Sequence, residues 1–304
     1  MPGPRQSRAY LALILIVTLW GSFPAMAKMA MLDFPPFFLA AVRCCVASAF
    51  LVALLLGQGA EAARVVGRAD LRAFFVLGLA GIWGSTQVSY VAIYYTTASN
   101  AVILQAATPV IVAVAAHLHL AERLGRRQWL GVALSALGVV LVITDGRLAL
   151  LRPAELRAGD FINLVGLCGW SAYTVYGKRV LAVASPALAT TAAYVLGTVL
   201  VIATALVTAP FYPAPRLASS TAWAVVVYQG VLGAIAHVWW YRAVHVVGAS
   251  RAATFMNLQP VVGVALAAAL LAERVGPWDV LGGLLVLLGV ALTTAKRGDI
   301  ASPR

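Results

Sequence analysis

Residues 107–138 read ATPVIVAVAAHLHLAERLGRRQWLGVALSALG, and residues 258–289 read LQPVVGVALAAALLAERVGPWDVLGGLLVLLG. Both stretches carry one pattern. Pro109 pairs with Pro260, Glu122 with Glu273, Arg123 with Arg274, Gly125 with Gly276, Gly131 with Gly282 and Gly138 with Gly289, always 151 residues apart. A fixed spacing over six matched positions marks internal duplication. Upstream, Tyr90 and Ser99 match Tyr241 and Ser250 at the same spacing. Trp20 to Lys28 matches Trp170 to Lys178, the lysine following the tryptophan by eight positions in both copies. The chain thus divides into two modules, residues 1–150 and 151–304.

Composition identifies the solvent. Of the residues, 62% are hydrophobic and 11% charged, with a mean hydropathy of +0.92. An average soluble chain is nearer half apolar and about a quarter charged. Apolar runs of about twenty residues recur, each long enough to cross the ~30 Å hydrocarbon core. The expected fold is all-α: a polytopic membrane protein with ten transmembrane helices. Five lie at 9–32, 37–57, 71–95, 98–120 and 128–144, and five at 161–180, 186–208, 221–245, 250–272 and 278–295. The basic start followed by Ala25-Met26-Ala27 has the look of a cleavable signal peptide. Against that, the tryptophan–lysine spacing recurs in mid-chain, where no signal peptide can stand.

The formal charge of +12 does not point to nucleic acid. Its arginines sit in the short connections, where anionic lipid head groups and the positive-inside rule favour them. With the N-terminus in the cytoplasm, fourteen Lys and Arg fall on that side and five on the other. Both termini are therefore expected inside. An odd number of spans per module makes the second enter from the opposite face, so the modules are expected to be inverted five-helix repeats. Cys44, Cys45 and Cys168 lie in apolar runs and read as packing residues.

Inverted repeats place a solute site near the midplane where they meet. Polar and aromatic residues within spans point to it, because each is costly in lipid. In the first half these are Trp20, Trp83, Gln87 and Gln105; in the second, Asn163, Trp170, Tyr173, His237, Trp240, Asn257 and Gln259. Each has a plainer reading as a bridge between helices. Pro109 and Pro260 each free a carbonyl four residues earlier, so bends are expected beside Gln105 and Gln259. Glu122 and Glu273 read as structural groups at helix ends. All ten acidic residues fall in loops or at span ends, which weakens carboxylate-based proton coupling. The chain holds no Walker loop, no His-Glu-x-x-His and no Gly-x-Ser-x-Gly. No enzyme activity, cofactor or metal is expected, and His117 and His119 diverge too far around a helix to share one.

Trp20-Gly-Ser-Phe-Pro24 with Lys28, Arg43, Pro109, Glu122-Arg-Leu-Gly125, Gly131 and Gly138, and the second set Pro260, Glu273-Arg-Val-Gly276, Gly282 and Gly289, resemble the EamA-type branch of the drug/metabolite transporter superfamily. The likeness covers nearly the whole chain. It implies a ten-helix inverted-repeat fold that moves amino acids or other small metabolites across the bacterial inner membrane, commonly outward. Trp20, Trp83, Trp170 and Trp240 are compatible with the aromatic amino-acid exporters resembling YddG. Trp170-Ser-Ala-Tyr173 lacks an equivalent of Pro24, so the two gates need not behave alike. Two other readings stay open: transport of phosphorylated or nucleotide-linked sugars, which needs basic residues such as Lys28, Arg43 or Lys178 in the cavity, and a membrane enzyme or subunit of a larger complex. The expected partners are a small-molecule substrate and the lipid bilayer, and nothing in the sequence sets an oligomeric state.

Overall fold

The computed structural model describes residues 4–57, 67–120, 125–146, 157–247 and 255–294. Every regular element among them is helical. In the first half α1 spans Pro4–Ala30, α2 Pro36–Leu56, α3 Arg68–Leu77, α4 Val88–Tyr95, α5 Ala98–Gln105, α6 Thr108–Leu120 and α7 Arg126–Thr144. In the second, α8 spans Ala158–Val180, α9 Pro186–Thr208, α10 Ser220–Val227, α11 Gly233–Val247, α12 Gln259–Leu271 and α13 Pro277–Thr294. Wider π turns at Gly78–Gln87 join α3 to α4, and others at Tyr228–Leu232 join α10 to α11.

Among the described residues, seven helical stretches are long and apolar enough to cross a membrane: Gln6–Ala30, Pro36–Leu56, Asp70–Tyr95, Ala98–Ala115, Arg126–Thr144, Pro186–Phe211 and Ser220–Ala243. The ten expected spans are matched only in part. Gln259–Leu271 and Pro277–Thr293 are shorter apolar helices. In the described part of the span expected from residue 250, Phe255 is helical, a 3-10 turn follows at Met256–Leu258, and α12 runs from Gln259, where Pro260 supplies no donor. Residues 248–254 lie outside those described, as do Glu122 and Arg123. α8 has 23 residues but mixes Asp160, Asn163, Lys178 and Arg179 with its apolar positions.

The outer surface is apolar: Leu206, Val207 and Phe211 are 70%, 71% and 80% exposed. In water such a belt would be a large sticky patch; against acyl chains it is the natural surface.

Local chemistry explains the breaks. Pro36 and Pro186 open α2 and α9, where a missing N–H costs nothing. Thr97, Ser185 and Ser219 accept the N–H groups of Asn100, Leu188 and Ala222 and so cap α5, α9 and α10. At Pro109 the expected bend is a full break between α5 and α6. The freed Gln105 carbonyl accepts the Thr108 hydroxyl at 2.6 Å. Before Pro260, the Met256 carbonyl accepts the Gln259 N–H instead.

Duplicate helices lie side by side, α2 on α9 and α7 on α13. The opening helix of each half packs among helices of the other: α1 on α11 and α12, and α8 on α4, α6 and the first π segment. α1 and α12 cross at glycines, since a Cβ on Gly21 would stand 3.0 Å from the Gln259 carbonyl and one on Gly263 2.8 Å from the Gly21 carbonyl. That crossing sets Trp20 beside Gln259.

Candidate functional site

A chamber of about 120 Å³ lies where helices from both halves meet. Its aromatic wall begins with Trp20 on α1, whose ring stands edge-on to Trp170 of α8 at 5.4 Å between centroids. His237 of α11 completes the group, 5.3 Å from Trp20 and 5.5 Å from Trp170. Edge-to-face contacts of this kind hold rings in fixed orientations. Trp240 backs Trp20 at 5.4 Å, and Tyr173 backs Trp170 at 5.5 Å while stacking on Tyr241 at 5.3 Å. Pro24 also lines the chamber, and by lacking an N–H it leaves the Trp20 carbonyl without its helical donor.

The polar wall faces these rings. The first π segment and α4 present Ser85, Thr86, Ser89 and Tyr90, while the α5–α6 break presents Gln105 and Thr108. Gln259 of α12 is 2% exposed, and its side-chain carbonyl oxygen has no partner. His237 holds the Gly233 carbonyl at 2.8 Å through Nδ1. A carbonyl only accepts, so Nδ1 carries the proton, and in the neutral ring Nε2 is a buried acceptor without a partner. Tyr90 donates to Oε1 of Gln229, whose amide donates to the Phe23 carbonyl at 2.9 Å. The second π segment is thereby tied to α1 and α4.

Of the residues singled out from sequence, Trp20, Gln105, Trp170, His237 and Gln259 line this chamber. Trp240 and Tyr173 stand behind its aromatic wall. Trp83 is not brought there: it is 37% exposed and donates its indole N–H to Thr204 at 2.8 Å. Asn163 is fully buried and donates to the Ala101 carbonyl at 2.9 Å, bridging α8 and α5. Gln87 is buried on the first π segment, away from the chamber lining, with both side-chain polar atoms unpartnered. Asn257 falls in the 3-10 turn, and its side chain lies outside the described residues.

Arg43 joins the site without having been among those residues. It is 2% exposed and lines the chamber. The signal is present in the sequence, because an ionisable residue inside a span is a functional pointer by default.

One end of the bundle is tied by two charged side chains. Lys28 donates to the Ile93 carbonyl at 2.7 Å and also to the Thr96 carbonyl, closing the end of α4. Glu273, from the other half, accepts the N–H groups of Ala98 and Ser99 at 2.9 Å and the Ser99 hydroxyl at 2.7 Å. It caps the start of α5, the helix-end role expected for it. Asp160 accepts from Thr96 and Asn100 alongside.

Two wider grooves, of about 550 and 580 Å³, open beside the exposed Leu206 and Leu118. Their linings are almost wholly apolar, which suits acyl chains better than a polar solute. Among the described residues no three His, Cys, Asp or Glu side chains gather to hold a metal.

Known proteins of similar sequence agree with this architecture. The EamA-like transporter family matches the chain twice, at residues 7–144 and 157–295. An uncharacterized transporter of Archaeoglobus fulgidus is 30% identical, over 96% of this chain and 99% of its own. The uncharacterized transporter YyaM of Bacillus subtilis is 28% identical over 80% of this chain and 79% of its own. The uncharacterized inner membrane transporter YedA of Escherichia coli K12 is 24% identical over 94% and 90%. A protein of known crystal structure shares the fold with a TM-score of 0.65 at 20% identity, covering 94% of this chain and 96% of its own. The chain belongs to the EamA-like transporter family: it is a multi-pass membrane transporter rather than an enzyme.

Proposed function

We propose that the chain is a secondary transporter that exports amino acids and related small metabolites, aromatic ones foremost, by alternating access. In this reading residues 1–150 and 151–304 are two inverted repeats of five spans each, with both termini cytoplasmic, in a bacterial inner membrane. The observation that carries it is the chamber itself, which draws Trp20, Arg43 and Gln105 from one half and Trp170, His237 and Gln259 from the other. A site shared between two halves opens to either face when one rocks against the other. Trp20, Gln105, Trp170, His237 and Gln259 are the residues proposed to touch the solute. The side-by-side pairing of duplicate helices and the doubled family match support the repeat arrangement. The naming of YedA as an inner membrane transporter supports the location.

Because no Asp or Glu among the described residues lines the chamber, exchange or facilitated export is favoured over carboxylate-driven proton coupling. Sugar phosphates are disfavoured: Lys28 is engaged by backbone carbonyls and Lys178 is exposed, so Arg43 is left as the one Lys or Arg among the described lining residues. The test is counterflow of labelled phenylalanine, tryptophan and a wider amino-acid panel in liposomes holding the purified protein. Accelerated exchange of at least one is expected; no flux of any, with the protein folded, would refute the reading.

A further inference from the structure

We propose that Arg43 anchors the carboxylate of the transported solute, so that the chamber takes small monocarboxylates with an apolar body and does not require an amino group. The inference rests on the transport reading above and narrows it. Arg43 lies in α2. Its guanidinium carries five N–H donors. Nη2 donates to the Tyr194 hydroxyl at 3.1 Å, and Nη1 faces the Cys44 sulfur, a weak acceptor, at 3.8 Å. The guanidinium carbon lies 5.7 Å from the Tyr90 ring centroid and 5.8 Å from that of Tyr194. Nε has no partner. None of these neighbours is an anion, and among the described residues the ion pair between side chains is Arg216 with Asp33, far along the chain. A buried cation facing only tyrosine rings, a hydroxyl and a thiol is under-compensated, and removing such a charge from water is costly without an opposite one. Arg43 opens onto the chamber, and none of the described residues lining it supplies the missing charge. The solute does.

The form of that anion follows from the donors. A guanidinium fork matches the planar two-oxygen geometry of a carboxylate, whereas a phosphate monoester brings close to two charges against one. A volume of about 120 Å³ admits a body near the size of one aromatic ring. The aromatic faces of Trp20 and Trp170 supply the apolar contact for it. An ammonium group on the solute meets no carboxylate among the described lining residues. Its partners would be neutral acceptors, the Gln259 oxygen and His237 Nε2, which accommodate it without demanding it.

The experiment uses three probes of one shape: phenylacetate, L-phenylalanine and phenethylamine. Each is measured for thermal stabilisation of the purified full-length protein and for counterflow in liposomes. Phenylacetate and phenylalanine are expected to bind and exchange, with phenethylamine at least tenfold weaker. Arg43→Gln is expected to lose the stabilisation by phenylacetate while its ligand-free melting temperature holds or rises, because an uncompensated charge has been removed. A merely structural arginine would instead lower that temperature and leave the order of the probes unchanged. If Arg43→Gln does not fold, the probe series on the unaltered protein decides the matter. Equal handling of the amine and the acids would overturn the carboxylate anchor and leave transport standing. Failure of all three probes and of the wider amino-acid panel would overturn both.

Discussion

Gly138 of α7 and Gly282 of α13 stand so close that a Cβ on the first would lie 2.5 Å from the carbonyl oxygen of the second, and one on Gly282 2.7 Å from that of Gly138. Gly131 and Gly289 oppose one another in the same way, each 2.5 Å from the other's carbonyl. These contacts cross the duplication, since the sequence equivalent of Gly138 is Gly289 and that of Gly131 is Gly282. Reciprocal contacts between equivalents are what a two-fold relation produces. Gly282→Val should therefore force two backbones apart at a cost of about 1–3 kcal/mol. A fall of several degrees in melting temperature is expected. Gly57→Ala is the control, as its Cβ would meet only ordinary contacts at 3.5 Å.

Trp170 and Trp83 separate chamber from surface. Trp170→Ala removes one side of the aromatic wall and should slow counterflow about tenfold, in line with the loss of one ring contact and its buried area. Trp83→Ala removes a hydrogen bond to Thr204 on the exposed side and should leave flux within about twofold, because Trp83 does not line the chamber. Initial rates in liposomes, normalised to folded protein, check both. Comparable losses for the two variants would contradict the assignment of the chamber.

These two tryptophans also mark the limit of the sequence. Hydropathy makes the helical membrane class legible, and Pro109 and Pro260 announce the breaks beside Gln105 and Gln259. Which way a side chain points is another matter. A helix surrounded by lipid and other apolar helices is hydrophobic on every side, so periodicity does not separate its inner face from its outer one. Trp83 and Gln87 stand in the π segment, where turns wider than 3.6 residues shift the angular register of the residues beyond them. Nothing in the residue pattern announces that segment. Arg43 is visible as a charge within a span, but its direction depends on how α2 packs against α9.

Glu273 caps α5 from the opposite half, through two backbone N–H groups and the Ser99 hydroxyl. Glu273→Ala should therefore destabilise more than an exposed acidic residue would, by about 0.5–2 kcal/mol, the range for loss of a helix cap. Glu273→Gln keeps one acceptor oxygen and should lose less. Melting temperatures of the two variants, ranked against the unaltered protein, check the order.

The most direct measurement concerns access to the chamber. With Cys44, Cys45 and Cys168 replaced, a single Gln105→Cys should react with a membrane-impermeant thiol reagent applied to either face of oriented vesicles, and bound phenylalanine should slow the reaction from both. Reaction from neither face, or from one face only under every substrate condition, would contradict alternating access through this chamber.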